Sequence, residues 1–292
     1  MTDFNRLPTQ PTLGLGCWAI GGPFFAEGRA VGWGEVDDQT SVAAIETAQH
    51  HGVAHFDTAQ AYGCGHSETL LGKALKNKPE IAIATKIGIG IDTDTKELTG
   101  TITDPNLIRQ SIDASRKRLN RDRIDLVLHH VNEMEIDTAR PTFDMLATLY
   151  DQGIIGAYGW STDDAESAHA FADHPGFTAI EHAMNVFRPA QNIVPLIEQS
   201  NLLSLIRSPL AMGVLGGKND ATTQFSKDEI RGSNPGWQDY FKDGKITDAY
   251  LGQLNAAREI LQSNGRSLAQ GAIAWLWART PNAIPIPGFR TS

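Results

Sequence analysis

The chain has 292 residues, 41% of them hydrophobic and 20% charged. That apolar share can bury a full core, which excludes a disordered or low-complexity protein. Its 25 Lys and Arg stand against 34 Asp and Glu, a net charge of −9, and the basic residues are scattered, so the chain is a poor candidate for binding a nucleic-acid backbone.

Two cysteines, Cys17 and Cys64, lack a C-x-x-C spacing and cannot build a disulfide framework. They fit a reducing, cytoplasmic compartment. There is no paired His/Cys spacing for a metal site. The N-terminal stretch MTDFNRLPTQPTLGLG has no basic region followed by an apolar one, so no signal peptide is expected. No apolar run approaches the roughly 20 residues of a membrane span.

In chain order, short β-branched runs alternate with longer helical stretches. A first strand is expected near Thr12–Gly16, and the next at Ala54–Asp57. Between them Asp38–His50 carries apolar residues at Val42, Ile45 and Ala48 and is followed by Gly52, a helix stop. Strands follow at Ile81–Lys86 and Ile124–His130. Between these two, Asp104-Pro105 supplies an N-cap and a first-turn proline, and Ile108, Ile112 and Leu119 form one apolar stripe. The basic cluster Arg116, Lys117, Arg118, Arg121 and Arg123 falls where that helix ends, where cations complement its dipole.

Further strands are expected at Ile154–Trp160, Phe177–Glu181, Leu203–Ser208 and Ala283–Pro287, with a buried helix over Leu268–Ala278. Two stretches break the rhythm. Gly16–Asp37 is rich in glycine and aromatics, and Ala211–Asp248 is a long polar insertion holding Trp237, Tyr240 and Phe241. Loops of such length usually serve a function. Eight strands with helices between them predict a (β/α)8 TIM barrel, and the absence of repeats or linkers predicts one domain over residues 1–292. A doubly wound open sheet is the competitor, weakened because no G-x-G-x-x-G follows the first strand.

In such a barrel chemistry gathers at the C-terminal strand ends. Strand two ends in Asp57, followed by Tyr62 in DTAQAYG; strand three ends in Lys86; strand four ends in His129 and His130. Singly, each has an ordinary explanation: a turn-forming Asp, a packed tyrosine, a snorkelling lysine, structural histidines. On successive strand ends they make a set. A tyrosine hydroxyl titrates near ~10 and is a poor acid at neutral pH. A nearby ammonium lowers that value, and an aspartate holds the ammonium in place. A histidine across the pocket orients a carbonyl or assists proton transfer. Such a group suits protonation of a carbonyl oxygen while a hydride from a cofactor reaches its carbon.

The segments GLGCW, FDTAQAYG, ATKIG, IDLVLHH, GWST, MNVF, SPLAMGVLGGK and IPIPGFR, in this order, resemble the aldo-keto reductase family over essentially the whole chain. The resemblance implies a catalytic tetrad of Asp57, Tyr62, Lys86 and His130, with Tyr62 as general acid, Lys86 lowering its pKa, Asp57 pairing with Lys86 and His130 positioning the carbonyl. It prefers His130 to His129 because the family histidine lies five residues beyond the aspartate here at Asp125. Trp18 and Trp33 are expected beside Tyr62 and His130 in the substrate pocket, and Phe24, Phe25 and Trp237 add to its aromatic loops.

For the cofactor, NADP(H), the resemblance implies Gly16, Cys17, Trp18 and Asp57 at the nicotinamide end. Ser161, Thr162 and Glu181 stand where the family carries Ser, Asn and Gln for the carboxamide. Threonine lacks an amide's paired donor and acceptor, and an ionised glutamate only accepts. Arg207 stands where a tyrosine often stacks on the nicotinamide; a guanidinium can stack too. Ser208, Pro209, Leu210 and Gly213 match the loop over the pyrophosphate, with Lys218 and Arg231 as charged contacts. Arg290 matches the region that binds the 2′-phosphate, which favours NADP(H) over NAD(H).

Relatives continue beyond the position of Ser292 with a closing helix, so the final barrel helix is expected to be absent from this chain. The N-terminus leaves little room for the family's hairpin under the barrel. The function implied is NADP(H)-dependent reduction of an aldehyde or ketone to an alcohol. The alternative is a cofactor-binding regulatory subunit of the same fold, and a Schiff-base aldolase through Lys86 is a third reading. The partner is a small carbonyl compound, without nucleic acid or membrane; monomer and homo-oligomer stay open.

Overall fold

Eight strands lie side by side and parallel, in the order in which they occur in the chain. They are β1 (Leu15–Gly16), β2 (His55–Asp57), β3 (Ala82–Ile87), β4 (Leu126–His129), β5 (Tyr158–Ser161), β6 (Phe177–Ala183), β7 (Leu203–Arg207) and β8 (Ile284–Pro285). The computed structural model describes residues 4–291. The sheet curls until its ends meet: the Gly14 and Gly16 amides donate to the Pro285 and Pro287 carbonyls at 2.9 and 3.0 Å, and Gly16 bridges Gly288 in parallel. A Cβ on Gly16 would stand 2.8 Å from the Ile286 carbonyl oxygen, so the seam closes on a glycine. The result is a (β/α)8 barrel, and the open doubly wound sheet is excluded.

The helices are α1 (Asp38–His50), α2 (His66–Ala74), α3 (Pro105–Leu119), α4 (Ile136–Asp151), α5 (Ala165–Ala170) and α6 (Val194–Gln199), one after each of the first six strands. Two more, α7 (Asp248–Leu261) and α8 (Leu268–Arg279), separate β7 from β8. Among the described residues no helix follows β8. Ser292 and residues 1–3 of the N-terminal stretch lie outside them.

Local chemistry sets the helix ends. Asp37 accepts from the Thr40 amide at 2.7 Å, and Asp104 accepts from the Asn106 and Leu107 amides with Pro105 in the first turn. Ser267 and Gln270 close a reciprocal capping box on α8. That helix is less buried than its apolar sequence implies: Leu268, Gly271, Ala272 and Leu276 are covered, whereas Ala278 and Arg279 are exposed.

The basic cluster at the end of α3 does more than complement a dipole. Arg118 pairs at 2.6 Å with the fully buried Glu68 of α2, which also accepts from Thr85 of β3 at 2.5 Å. Arg121 donates to the Leu75 and Lys78 carbonyls. These contacts tie α2, α3 and β3 together.

The two-residue period of the strands sorts the core into two layers. Ala82, Ala84, Leu126, Leu128, Ala157, Ala179, Leu203 and Leu205 fill the barrel interior with Ile284, Ile286 and Phe4. Ile83, Ile87, Val127, Tyr158, Trp160 and Ile180 face outward and pack with the helices. Phe4 meets His55 edge-on at 5.2 Å and packs with the inward-facing residues at the barrel floor.

Both irregular stretches are ordered structure at the other end. The hairpin Phe25–Ala26/Arg29–Ala30 joins Ile89–Asp92 and Glu97–Thr101 in a four-stranded sheet. Phe24 belongs to a buried cluster with Val31, Tyr240, Phe241 and Ile246, so it is core and not pocket wall. The stretch read as a polar insertion thus carries its own apolar core. Asn185 pins it by donating to the Tyr240 hydroxyl at 2.9 Å, and an Arg188–Asp239 ion pair adds a second tie.

The loops after β1 and β2 meet backbone to backbone. Gly63 has φ +62°, and a Cβ there would come within 1.7 Å of the Gly21 carbonyl oxygen. This contact fixes the loop that carries Tyr62. Gly63→Ala is expected to cost at least about 2 kcal/mol of stability through clash and left-handed strain. Chemical denaturation reads it as a lowered midpoint; an unchanged midpoint contradicts the packing.

Candidate active site

Strand parity determines which side chains share the mouth of the barrel. Lys86 continues the inward series Ala82, Ala84; Ser161 follows Ala157, Glu181 follows Ala179, and Arg207 follows Leu203 and Leu205. His130, one residue past β4, continues Leu126 and Leu128. His129 has the opposite parity and packs edge-on against Phe143 at 5.7 Å and Trp160 at 5.4 Å. The two histidines therefore have different environments, and only His130 joins the group at the mouth.

Lys86 is the hub. Its side chain has no solvent exposure, and Nζ stands 2.5 Å from Asp57 Oδ1 and 3.2 Å from Glu181 Oε2. It also donates to the Thr58 carbonyl at 3.0 Å and to the Tyr62 hydroxyl at 3.3 Å. An ammonium has three N–H bonds for these four acceptors. The Glu181 contact is the misaligned one, close enough for an ion pair while Oε2 accepts no hydrogen bond. Glu181 Oε1 accepts from the Ser161 hydroxyl at 3.3 Å, and the Glu181 and Asp57 carboxyls contact the same Lys86 Nζ. The Tyr62 ring meets His130 nearly perpendicular at 5.7 Å and stacks on Trp18 at 5.9 Å.

Protonation follows from burial and from these charges. Burial pushes the Asp57 carboxyl well above its usual range and the Glu181 charge adds to this, against the pull of Lys86. Burial alone would lower the Lys86 ammonium; Asp57 and Glu181 outweigh it and hold the lysine charged. Tyr62 is pushed up, first by burial and then by the two carboxylates. Lys86 lowers it, as expected from sequence, but burial is the larger influence and the net direction is upward. His130 is driven well below its usual value by burial, then by the charges of Lys86 and Arg207, and is neutral. Burial also raises both thiols, Cys17 strongly and Cys64 less.

A model of the aldo/keto reductase family matches residues 12–292. The chain belongs to the aldo/keto reductase family. It is similar to the glycerol dehydrogenase AKR11B4 from Gluconobacter oxydans, with 30% identity, a TM-score of 0.78, and coverage of all of this chain and 88% of that one. It is also similar to aldo-keto reductase YhdN of Bacillus subtilis, 29% identical over 285 residues, covering 95% of this chain and 81% of the relative. A fission-yeast relative (Schizosaccharomyces pombe), aldo-keto reductase yakc, whose name carries NADP(+), is 24% identical over 292 residues, covering 97% and 81%.

In this aldo/keto reductase the residues expected at a cofactor fall into two groups. Gly16 ends β1, and Cys17 and Trp18 follow it beside Asp57, whose carbonyl accepts from the Cys17 amide at 2.8 Å. The Cys17 thiol is buried and directed at the Leu15 carbonyl. Thr162 donates to the Asn132 carbonyl at 2.6 Å. Arg207 is held by Asp163 at 2.5 Å and by Asn132 at 3.1 Å. Asn132 and Asp163 were not singled out from sequence; their position just beyond β4 and β5 was the available signal.

The second group lies on the loop after β7. Ser208, Ala211, Met212 and Gly213 have positive φ, and Pro209 and Leu210 complete the turn; such a run makes a concave backbone suited to an anion. Lys218 is exposed. Arg231 is committed elsewhere: it pairs bidentately with Glu229 at 2.7 and 2.8 Å and stacks over Trp33 and Phe225. Arg290 is exposed and donates to the Trp33 and Glu35 carbonyls. Trp33 meets Trp18 edge-on at 5.5 Å, and Trp237, 61% exposed, lies 6.3 Å from Trp18. Among the described residues no group of three His, Cys, Asp or Glu side chains could hold a metal, and no helix is long and apolar enough to cross a membrane.

His129 yields a stability test. Burial lowers its pKa to about 4, so folding selects the neutral ring. Its contribution is intact above the unfolded value near ~6.5 and is lost as pH falls from there toward 4, by at most about 1.4 kcal/mol per pH unit. His129→Phe, which keeps a ring against Phe143 and Trp160, is expected to remove close to one proton from the uptake on acid unfolding. An unchanged slope of stability against pH contradicts this.

Proposed function

We propose that this aldo/keto reductase reduces an aldehyde or ketone to an alcohol with NADP(H), Tyr62 supplying the proton. The observation that carries the reading is the contact of Lys86 Nζ with both the Tyr62 hydroxyl and Asp57 at the mouth, with neutral His130 beside the phenol. A protonated phenol is the form a general acid requires. A carbonyl oxygen accepting from Tyr62 also comes within reach of His130, two groups converging on one atom.

The residues present fit a nicotinamide dinucleotide. Glu181 Oε2, buried and without a hydrogen bond, can accept from a carboxamide NH2. Ser161 and the Arg207 face border the same space, the turn from Ser208 to Gly213 suits a pyrophosphate, and Lys218 and Arg290 offer charge for phosphate groups. When bound, the dinucleotide supplies the hydride that no side chain can. Asp57 keeps Lys86 in place, Lys86 steadies the charge that develops on the Tyr62 oxygen as its proton leaves, and His130 holds the carbonyl.

The aromatic wall of Trp18, Trp33 and Trp237 favours substrates with an apolar body beside the carbonyl. The 2′-phosphate preference rests on Arg290 together with the fission-yeast relative. An intact set of Asp57, Tyr62, Lys86 and His130 at the mouth favours turnover over a purely regulatory role.

Titration with NADPH and with NADH, followed by quenching of tryptophan fluorescence, is expected to show saturable binding that prefers NADPH. Tyr62→Phe is expected to lower kcat for carbonyl reduction by about 10²–10⁴ with cofactor affinity changed less than about twofold. A variant as active as the parent, or a folded parent that binds neither dinucleotide, overturns the reading.

A further inference from the structure

The mouth holds one more carboxylate than Lys86 can neutralise. Asp57 and Glu181 have side chains 5% and 2% exposed and both contact an ammonium that is fully buried. Glu181 and Tyr62 touch the same Nζ, at 3.2 and 3.3 Å, so Glu181 lies two short contacts from the hydroxyl that meets the carbonyl. A nicotinamide delivering hydride to that carbonyl's carbon stands within the field of this cluster. The ring is neutral when reduced and cationic when oxidised. A buried carboxylate at such range discriminates between the two.

We propose that Glu181 is a specificity-determining residue for the redox state of the dinucleotide, making the site hold the oxidised form more tightly than a neutral side chain there would. The proposal rests on the reading above that a nicotinamide occupies this mouth. Glu181 thereby favours departure of hydride from the bound reduced cofactor and slows release of the oxidised one.

The test compares dissociation constants for NADP+ and NADPH in the wild-type chain and in Glu181→Gln, by fluorescence quenching or calorimetry without substrate. The ratio of the oxidised to the reduced constant is expected to rise roughly tenfold in the variant, equivalent to about 30 mV in the potential of the bound cofactor. The 2′-phosphate is common to both forms and cancels. Should Glu181→Gln fail to fold, Glu181→Ala, which also removes the charge, decides. Both forms binding with a ratio indifferent to loss of the Glu181 charge overturns the proposal and leaves the proposed function standing. Binding of neither form by the wild-type chain overturns both.

Discussion

A lysine ammonium with no access to water must be compensated by its neighbours, and in this barrel that requirement organises the mouth. Lys86 stands one layer above Ala82 and Ala84 on β3, where a charged group without partners would cost several kcal/mol. Asp57 from the adjoining strand, Glu181 from across the barrel, the Thr58 carbonyl and the Tyr62 hydroxyl converge on it. β2 with its loop, β3 and β6 are thereby held together around one nitrogen. The Tyr62 phenol gains its position from the same contact that gives it a chemical role.

The surroundings serve that arrangement. Small residues in the layer below, alanines on β3, β5 and β6, leave room for long polar side chains above them. Gly63 and Gly21 let two loops approach closely enough to aim Tyr62 at Lys86. The loop after β7 and the Tyr240–Phe241 segment build a second apolar cluster, and Trp237 lies beside Trp18, which stacks on Tyr62. Rigid scaffold and decorated loops thus divide the work, the strands fixing charge and the loops shaping the space above.

Much of this was legible in sequence because strand ends and helix caps are local signals. Asp37, Asp104 and Ser267 announce their helices, and Asp57, Lys86 and His130 fall on successive strand ends. Parity adds the separation of His130 from His129 once the inward series Leu126, Leu128 is known. What sequence could not supply is the outcome of competing charges. The ammonium of Lys86 does lower the Tyr62 pKa, yet burial and two carboxylates raise it further, and that balance depends on distances. Glu181 read as an altered amide contact is, in the fold, a direct partner of Lys86. Likewise the insertion carrying Tyr240 and Phe241 reads as polar because its buried residues are spread among many exposed ones.

Lys86 supplies the counter-charge for two buried carboxyls, Asp57 and Glu181. The direct measurement is denaturant-determined stability near neutral pH for Lys86→Met alone and for Lys86→Met combined with Asp57→Asn and Glu181→Gln. A loss of about 3–5 kcal/mol is expected in the single variant and recovery of most of it in the triple variant. A single variant as stable as the parent, or a triple variant no more stable than the single one, contradicts it.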